Sequence, residues 1–191
     1  MRIRLTEREI PKARLRRQSP EDTEAISEQV ESMLMRGVIE KACGPYSANC
    51  HLVPKKNCTK RLVIDYIPLN ANSVKDHYPM PQIADILAHL SDAKYYCALD
   101  CTEEFWQIPV AEHDRPKMAF ITPKGMFQFR RCPFGFTNAP ATYQRTMNEI
   151  FQQGLYKRCV VYIDDILVYG RTKQETLENL AWVLNKCEAL R

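Results

Sequence analysis

Two stretches of this sequence place carboxylates within or at the end of apolar runs. Asp100 ends the apolar run of CALDCTEEFWQI, and the adjacent pair Asp164 and Asp165 interrupts VVYIDDILVYG. Because a buried unpaired charge is costly and aspartate favours turns, we expect an antiparallel hairpin with the acidic pair at or beside its tip. The alternative is an ordinary Asp-Asp turn that faces solvent.

The chemistry of these aspartates depends on whether the two motifs meet. If the strand ending at Asp100 lies beside the hairpin, three carboxylates converge, and they need cations to stay ionised together. Hard ions such as Mg²⁺ bind carboxylate and phosphate oxygens. Two such ions about 4 Å apart support in-line phosphoryl transfer, one activating the attacking hydroxyl and the other stabilising the leaving group. Only a fold can assemble this site, since the motifs are far apart in sequence.

The surrounding sequence predicts helices and short strands without a strict strand-helix-strand repeat. A helix starts at Ser19 and stops at Gly37, and NCHLVPKK and RLVIDYI then form a hairpin around the basic turn NCTK. A helix after YPMP is followed by the strand candidates YYCALDC, WQIPV, KMAFIT and MFQFRR. Further helices follow Asn138 and start at Thr172, where Thr172 and Glu175 form a capping box. This order predicts an α+β fold.

Composition narrows the class of protein. The 191 residues are 45% hydrophobic, enough for one core or for two lobes that share one. There is no apolar run long enough to span a membrane and no signal-peptide pattern at the N-terminus. Eight cysteines without a CxxC pair and four isolated histidines predict reduced thiols rather than disulfides or a zinc site. We expect an intracellular protein without a membrane partner.

The basic residues cluster, although the net charge is only +4. They concentrate in residues 1–19 and around the tip of the predicted hairpin. Such patches suit a polyanion, and the alternative is a solvated tail and a solvated turn.

A series of ordered motifs gives these features a common origin. The motifs are LVPKK, RLVIDYIPLN, YPMPQI, AKYYCALD, FWQIPVAEHDRPKMAF, PFGFTNAPATYQRTMN and VVYIDDILVYG. Together they resemble the reverse transcriptase of Ty3/gypsy-type LTR retrotransposons, with kinship to caulimoviral and retroviral enzymes. The resemblance runs from about Ser19 to the C-terminus.

The resemblance implies the fingers and palm of a right-hand polymerase. Residues 1–18 would be a basic tail and residues 19–191 a reverse transcriptase domain. The fingers would comprise about 19–76 and 108–141, and the palm about 77–107 and 142–191. The palm would be truncated at its C-terminus, with the thumb and RNase H domains lacking.

The resemblance also implies roles for individual residues. Asp100, Asp164 and Asp165 would be the catalytic ligands of two Mg²⁺ ions, which Mn²⁺ can replace, with Asp165 the less certain ligand. Tyr162 and Ile163 complete the YxDD motif. The residues implied at the incoming dNTP are Arg61, Lys55 and Lys56 at the triphosphate, Cys101 through its backbone, Phe105 against a ribose 2'-hydroxyl, and Phe134 beside the nucleotide and template. Gln144, on the helix that follows, is a further residue of the family's motifs. For Phe105, a place in the apolar core is the alternative.

The sequence departs from the family pattern at the nucleotide site. Glu103 and Glu104 occupy positions where the family keeps small residues, and Ile67 and Lys60 replace the usual arginine and tryptophan. A charge about 5 Å from one phosphate charge costs on the order of 3 kcal/mol at an effective dielectric of 20. The direction of the Glu104 side chain decides whether this cost applies, and the sequence leaves it open.

The resulting hypothesis is an RNA-directed DNA polymerase domain of a retrotransposon Pol polyprotein. It would transfer nucleotides to a primer 3'-hydroxyl by two-metal catalysis, weakly or not at all as this chain alone. Its partners would be an RNA or DNA template with primer, dNTPs, and the thumb and RNase H domains of a full-length parent. Its compartment would be the cytoplasm, in a virus-like particle, or the nucleus.

Two alternatives come from other classes. One is a catalytically dead, palm-derived protein that binds nucleic acid or another partner. The other is an unrelated metal-dependent phosphotransferase, which the full set of motifs disfavours.

Overall fold

The computed structural model describes residues 1–6, 12–54 and 59–189. Its helices are α1 (Pro20–Met35), α2 (Ile67–Asn72), α3 (Ile83–His89), α4 (Ala139–Phe151) and α5 (Lys173–Glu188). Its strands are β1 (Ile39–Lys41), β2 (Ala48–Pro54), β3 (Lys60–Ile64), β4 (Tyr95–Asp100), β5 (Ala119–Thr122), β6 (Gly125–Phe129), β7 (Cys159–Tyr162) and β8 (Asp165–Gly170). Two 3₁₀ helices, Glu104–Gln107 and Glu112–Met118, lie between β4 and β5. The mixture agrees with the expected α+β class.

The chain divides into two compact units, each built from segments that are distant in sequence. The first unit comprises Met1–Lys75 and Phe105–Ala139. The second comprises Asp76–Glu104 and Pro140–Arg191.

The first unit contains a five-stranded sheet in the order β1-β6-β5-β2-β3. β2 pairs with β5 in parallel, and the other neighbouring pairs are antiparallel. Large apolar side chains of the unit are fully buried, as a packed core requires. They include Ile26, Ile39, Met118, Phe120 and Phe136.

Helix α1 begins where the sequence predicted. The Ser19 hydroxyl accepts a hydrogen bond from the Asp22 amide at 3.0 Å, and Pro20 occupies the first turn. The cap satisfies an amide that the helix cannot pair internally, and proline there loses no helical hydrogen bond. The apolar face of the helix buries Ile26, Val30 and Met33.

Two predicted strands are wrong in part. RLVIDYI leaves the sheet after Ile64, because Asp65 accepts a hydrogen bond from the Ile67 amide at 3.2 Å and a short helix follows. WQIPV forms no strand among the described residues, and its start lies in the 3₁₀ helix Glu104–Gln107. The chain turns before this helix at Glu103, whose φ is +53°. Local side-chain hydrogen bonds and turns overrode the apolar pattern in both places.

The second unit contains a three-stranded antiparallel sheet in the order β4-β8-β7. Helix α5 packs on this sheet, where the side-chain Nδ2 of Asn179 donates to the Tyr169 carbonyl at 2.9 Å. Its N-cap is Thr172, whose hydroxyl accepts from the Glu175 amide at 3.2 Å. The Glu175 carboxylate in turn accepts from the Arg171 amide at 2.7 Å, so the predicted capping box forms with its return bond shifted by one residue.

Two expectations from composition can also be compared with the structure. The described cysteines are all free thiols: Cys43, Cys50, Cys97, Cys101, Cys132, Cys159 and Cys187. Among the described helices, none has the length and apolar character needed to cross a membrane.

Candidate active site

The acidic pair lies at a tight turn between β7 and β8. Tyr162 pairs with Asp165, so Ile163 and Asp164 form a two-residue loop. The φ of Ile163 is +53°, and a left-handed conformation costs an L-residue about 1–2 kcal/mol. Positive φ at this position suits the twist of a hairpin, but a β-branched residue is unusual there. The sequence correctly predicted an acidic hairpin tip and gave no sign of this strain.

Strand β4 brings the third aspartate to the same end of the sheet. Asp100 is the register partner of Asp165, and the Cys101 amide donates to the Asp164 carbonyl at 3.0 Å. Asp100 and Asp165 are exposed, and Asp164 is half-buried. As the side chains lie, no group of three or more His, Cys, Asp or Glu residues in the described part of the chain could hold a metal ion. The backbone therefore brings the three aspartates to one end of the sheet. Their carboxylates, as they lie in this structure, do not surround a common centre.

Glu104 belongs to this acidic group. Burial raises the pKa of Glu104, and the negative charges of Asp164 and Asp100 raise it further, against an opposing backbone hydrogen bond. An electrostatic effect of this kind requires the carboxyl group to lie near both aspartates. The Glu104 carboxyl group is therefore within electrostatic reach of Asp164 and Asp100.

Cys101 and Tyr143 pair beside the acids. Burial raises the pKa of Cys101, the hydrogen bond with the Tyr143 hydroxyl lowers it, and the charges of Asp100, Asp164 and Glu104 raise it again. The net effect is upward, so the thiol stays protonated near neutral pH. Burial also raises the pKa of Tyr143, and its bond with Cys101 adds to this. These side chains are poor candidates for a nucleophile or a general base.

Gln144 on α4 supports the hairpin tip from inside the unit. Its side chain is fully buried, and its Oε1 accepts a hydrogen bond from the Ile163 amide at 2.7 Å. Its Nε2 donates to the Val161 carbonyl at 3.1 Å and to Asn148 Oδ1 at 2.9 Å. All polar atoms of this buried amide have partners, as burial demands. Gln144 thus contacts the strained residue of the turn directly.

Sequence reasoning missed Asn148, which contacts Gln144. The available signal was the spacing of the two residues, four apart on one helix face. That face also carries apolar side chains, so two neighbouring amides on it needed a buried partner. The sequence could not show which partner that was.

The predicted nucleotide residues Phe105 and Phe134 meet within the first unit. Their ring centroids are 5.2 Å apart with the planes at 65°, and Trp106 contacts Phe134 in the same way at 6.0 Å. The Arg36 guanidinium covers the Trp106 ring at 4.9 Å. Phe134 is 43% exposed, so this aromatic cluster keeps an open face. Phe105 is therefore neither a fully buried core residue nor an isolated one.

Of the predicted phosphate-binding residues, the structure describes Arg61, which lies on β3 of the first unit. Arg61 is an exposed residue of β3 and pairs in register with Val53. Lys55 and Lys56 lie outside the described residues. Lys60, which departs from the family pattern, binds Glu21 Oε1 at 3.0 Å and Asp22 Oδ1 at 2.8 Å. The replacement has a local explanation, because these ion pairs tie the hairpin to α1.

A family model for "Reverse transcriptase (RNA-dependent DNA polymerase)" matches residues 53–191. The chain belongs to this family. The match includes the three aspartates, Phe105, Phe134 and Gln144, and it confirms the resemblance seen in the sequence.

The relatives of this reverse transcriptase family member are polyproteins. It is 41% identical to the retrovirus-related Pol polyprotein from transposon opus of Drosophila melanogaster, over 83% of this chain and 16% of that protein. Identity to the corresponding polyprotein from transposon gypsy of the same fly is 36%, over 85% of this chain and 16% of that protein. The enzymatic polyprotein of Cauliflower mosaic virus (strain Strasbourg) is 34% identical, over 88% of this chain and 25% of that protein. The chain thus spans a quarter or less of these relatives.

Solved structures agree with the reverse transcriptase fold. The chain is similar to the prototype foamy virus protease-reverse transcriptase, with a TM-score of 0.84, 24% identity, and coverage of 97% of this chain and 25% of that chain. A complex of the foamy viral protein with an RNA/DNA hybrid gives the same TM-score, covering 95% of this chain and 24% of that one. The fold is that of reverse transcriptase fingers and palm.

Proposed function

We propose that this chain is the fingers and palm of an RNA-directed DNA polymerase that adds nucleotides to a primer 3'-hydroxyl. The observation that carries the proposal is the register of β4 against β8, which sets Asp100 opposite Asp165 and beside the turn at Asp164. The first unit would be the fingers and the second the palm. This agrees with the position of the aspartates in the second unit and of Arg61 in the first.

The donor chemistry fits divalent cations. Asp100, Asp164 and Asp165 offer carboxylate oxygens, which Mg²⁺ and Mn²⁺ prefer. Asp100 and Asp165 are exposed, so their side chains can rotate towards a shared ion while their backbone positions stay fixed. When bound, two such ions would supply activation of the primer hydroxyl and stabilisation of the leaving pyrophosphate.

The residues of the first unit would bind and orient the nucleotide. Arg61, with Lys55 and Lys56, would neutralise the triphosphate, since a guanidinium binds phosphate oxygens in a bidentate manner. The Phe105 ring, held by Phe134, would exclude a ribose 2'-hydroxyl by steric contact. A ring fixed at its edge resists displacement by the extra hydroxyl better than a free ring does. From the second unit, the Cys101 backbone would also contribute to nucleotide binding.

Nucleic acid is the proposed macromolecular partner. A foamy viral relative in fold was solved in complex with an RNA/DNA hybrid, and another with double-stranded DNA. The basic residues of the first unit suit the phosphate backbone of such a duplex, and affinity of this kind falls steeply with salt. Thumb and RNase H domains of a longer parent would add contacts to the same duplex.

Primer extension tests the proposal. We expect the 191-residue chain to incorporate dNTPs on a primed RNA template slowly, with Mg²⁺ or Mn²⁺, and Asp164→Asn to abolish the signal. Asp85→Asn is the matched control, because Asp85 is an exposed aspartate on α3 in the same unit. Incorporation that persists in Asp164→Asn would contradict the proposal. If the wild type shows none, the wild type and the same two variants are compared within a longer Pol polypeptide that carries a thumb.

A second candidate, a catalytically dead nucleic-acid-binding palm, is favoured by one observation. Glu104 lies near Asp164 and Asp100, and a triphosphate would meet its charge there. Two results together would show that this candidate is correct. RNA or DNA binding would survive replacement of Asp100, Asp164 and Asp165 by Asn. Metal-dependent synthesis would be absent from both the wild type and the Glu104→Gly variant. Synthesis that appears in Glu104→Gly would instead identify a polymerase inhibited by one side chain.

A further inference from the structure

A continuous chain of polar contacts connects the turn at Asp164 to residues 76–78, all within the second unit. It starts at the Ile163 amide, which donates to Gln144 Oε1 at 2.7 Å, and continues from Gln144 Nε2 to Asn148 Oδ1 at 2.9 Å. Asn148 Nδ2 then donates to the Tyr78 hydroxyl at 2.8 Å. The catalytic turn and Tyr78 are therefore joined through two side-chain amides.

The far end of this chain is anchored by an ion pair. One nitrogen of the Arg145 guanidinium lies 2.8 Å from Asp76 Oδ1 and 2.7 Å from Oδ2. The same guanidinium covers the Tyr78 ring at 4.8 Å, and Asp76 Oδ1 also accepts from the Tyr78 amide at 3.1 Å. Arg145 and Asp76 thus fix both the ring and the backbone of Tyr78.

The direction of each hydrogen bond matters for the turn. An amide side chain can lie either way round, and only its partners decide which end is the acceptor. The Ile163 N–H can only donate and the Val161 carbonyl can only accept, so Gln144 Oε1 faces the first and Gln144 Nε2 the second. Gln144 Nε2 then also donates to Asn148 Oδ1, which leaves Asn148 Nδ2 to donate to the Tyr78 hydroxyl. A reversed Gln144 would set its NH₂ group against the Ile163 N–H, and two donors repel.

We propose that Asn148, Tyr78 and Arg145 are positioning residues that act through Gln144 to hold the strained Ile163 turn, and with it Asp164, in one conformation. Ile163 has a φ of +53°, so the turn relaxes unless an outside contact holds it. The inference rests on the proposed function only where it assigns a catalytic purpose to Asp164. The coupling itself is a property of the folded chain.

Amide hydrogen exchange of the Ile163 N–H in the 191-residue chain tests the coupling. We expect Tyr78→Phe and Asn148→Leu each to speed this exchange roughly tenfold, the factor that corresponds to one hydrogen bond. The β7-β8 ladder amides should keep their rates. Asn148→Asp should restore slow exchange, because its carboxylate still accepts from Gln144 and the Tyr78 hydroxyl can rotate to donate. In a Gln144→Ala background, Tyr78→Phe should add nothing.

Tyr96→Phe is the matched control. Tyr96 lies in the same unit and outside the network. Its hydroxyl donates to the Ala93 carbonyl at 2.8 Å, and the Leu90 carbonyl lies 3.3 Å from the same oxygen. This variant should leave the exchange of the Ile163 amide unchanged. Two outcomes would overturn the proposal. One is an unchanged exchange rate of the Ile163 amide in Tyr78→Phe and Asn148→Leu. The other is a uniform increase in exchange over the whole hairpin, which a general loss of stability would produce.

Manganese binding separates this inference from the proposed function. Free Mn²⁺ measured by its electron paramagnetic resonance signal gives the affinity of the wild type, Tyr78→Phe and Asp164→Asn. Weaker binding in both variants supports the positioning role and the metal site together. If Asp164→Asn binds Mn²⁺ as the wild type does, the proposed metal site is wrong, while the exchange data still decide the coupling.

Discussion

The negative charge of Asp164 reaches the carboxyl group of Glu104 and helps burial to raise the pKa of that glutamate. Glu104 follows β4, and Asp164 lies in the turn between β7 and β8. The packing of the second unit brings these two segments together. An acidic side chain, at a position where the sequence departs from the expected family pattern, therefore lies near two of the aspartates proposed to bind metal.

Replacement of Glu104 by Gly should increase nucleotide incorporation. Loss of the carboxylate removes a repulsion against the triphosphate that is on the order of 3 kcal/mol at about 5 Å and an effective dielectric of 20. Primer extension by a Pol polypeptide that carries a thumb and this domain measures the effect as a lower KM for dNTP. Glu103→Gly is the control, because Glu103 belongs to the preceding turn. An equal gain in both variants would show that turn flexibility, rather than charge, limits the reaction.

Glu104→Gln should stabilise the fold in a pH-dependent manner. A carboxyl group with a raised pKa in the folded state binds its proton more tightly there than in the unfolded chain. The wild type therefore loses stability as pH rises from the usual glutamate value of about 4.3 through the raised value. Urea unfolding at several pH values should show no advantage of the variant near pH 4 and a growing advantage towards pH 7. A constant difference would contradict the assigned cause.

Asp114→Asn should destabilise the first unit at neutral pH. Burial alone would raise the pKa of Asp114, but hydrogen bonds from Lys117 and from the Ile3 amide, the latter at 2.9 Å, lower it overall. Such a carboxylate stabilises the fold above its usual pKa and loses this effect as pH falls through the lowered value. We expect a loss of about 2 kcal/mol at pH 7, the range of a charged hydrogen bond. Urea unfolding at pH 3 should show a smaller difference.

Gly154→Ala should destabilise the second unit. An added Cβ would lie 2.5 and 2.6 Å from two ring carbons of Trp182, closer than packed carbons approach. Overpacking of this kind costs about 1–3 kcal/mol. Thermal unfolding measures it, and Trp182→Leu supplies the second arm of a double-mutant cycle. The alanine should cost much less in the Trp182→Leu background, and an equal cost in both backgrounds would show that the clash is not with the ring.

Local sequence patterns were sufficient for much of this fold. The Ser19 cap, the Thr172 cap and the acidic hairpin at Asp164 each depend on residues close together in the chain, so their patterns identified them. We expected Asp100 to meet that hairpin only if its strand lay beside it. The structure contains this pairing, between β4 and β8.

Features that depend on partners distant in the chain could not be predicted from the sequence. The position of Glu104 follows a turn with a positive φ at Glu103, a conformation that no sequence pattern predicts for a glutamate. The role of Asn148 depends on Tyr78, which reaches it from a segment far away in the chain. Such contacts are tertiary, and single-residue preferences contain no information about them.

The pairing of β4 with β8 also has a consequence for the order of folding. The β7-β8 hairpin closes through a two-residue loop, and such hairpins form in about 1–10 μs. β4 must close a long loop before Asp100 meets Asp165, and pairing between distant segments is slow. We expect the acidic hairpin to exist before its third aspartate arrives, so that pulse-labelled amides of β4 become protected after those of β7.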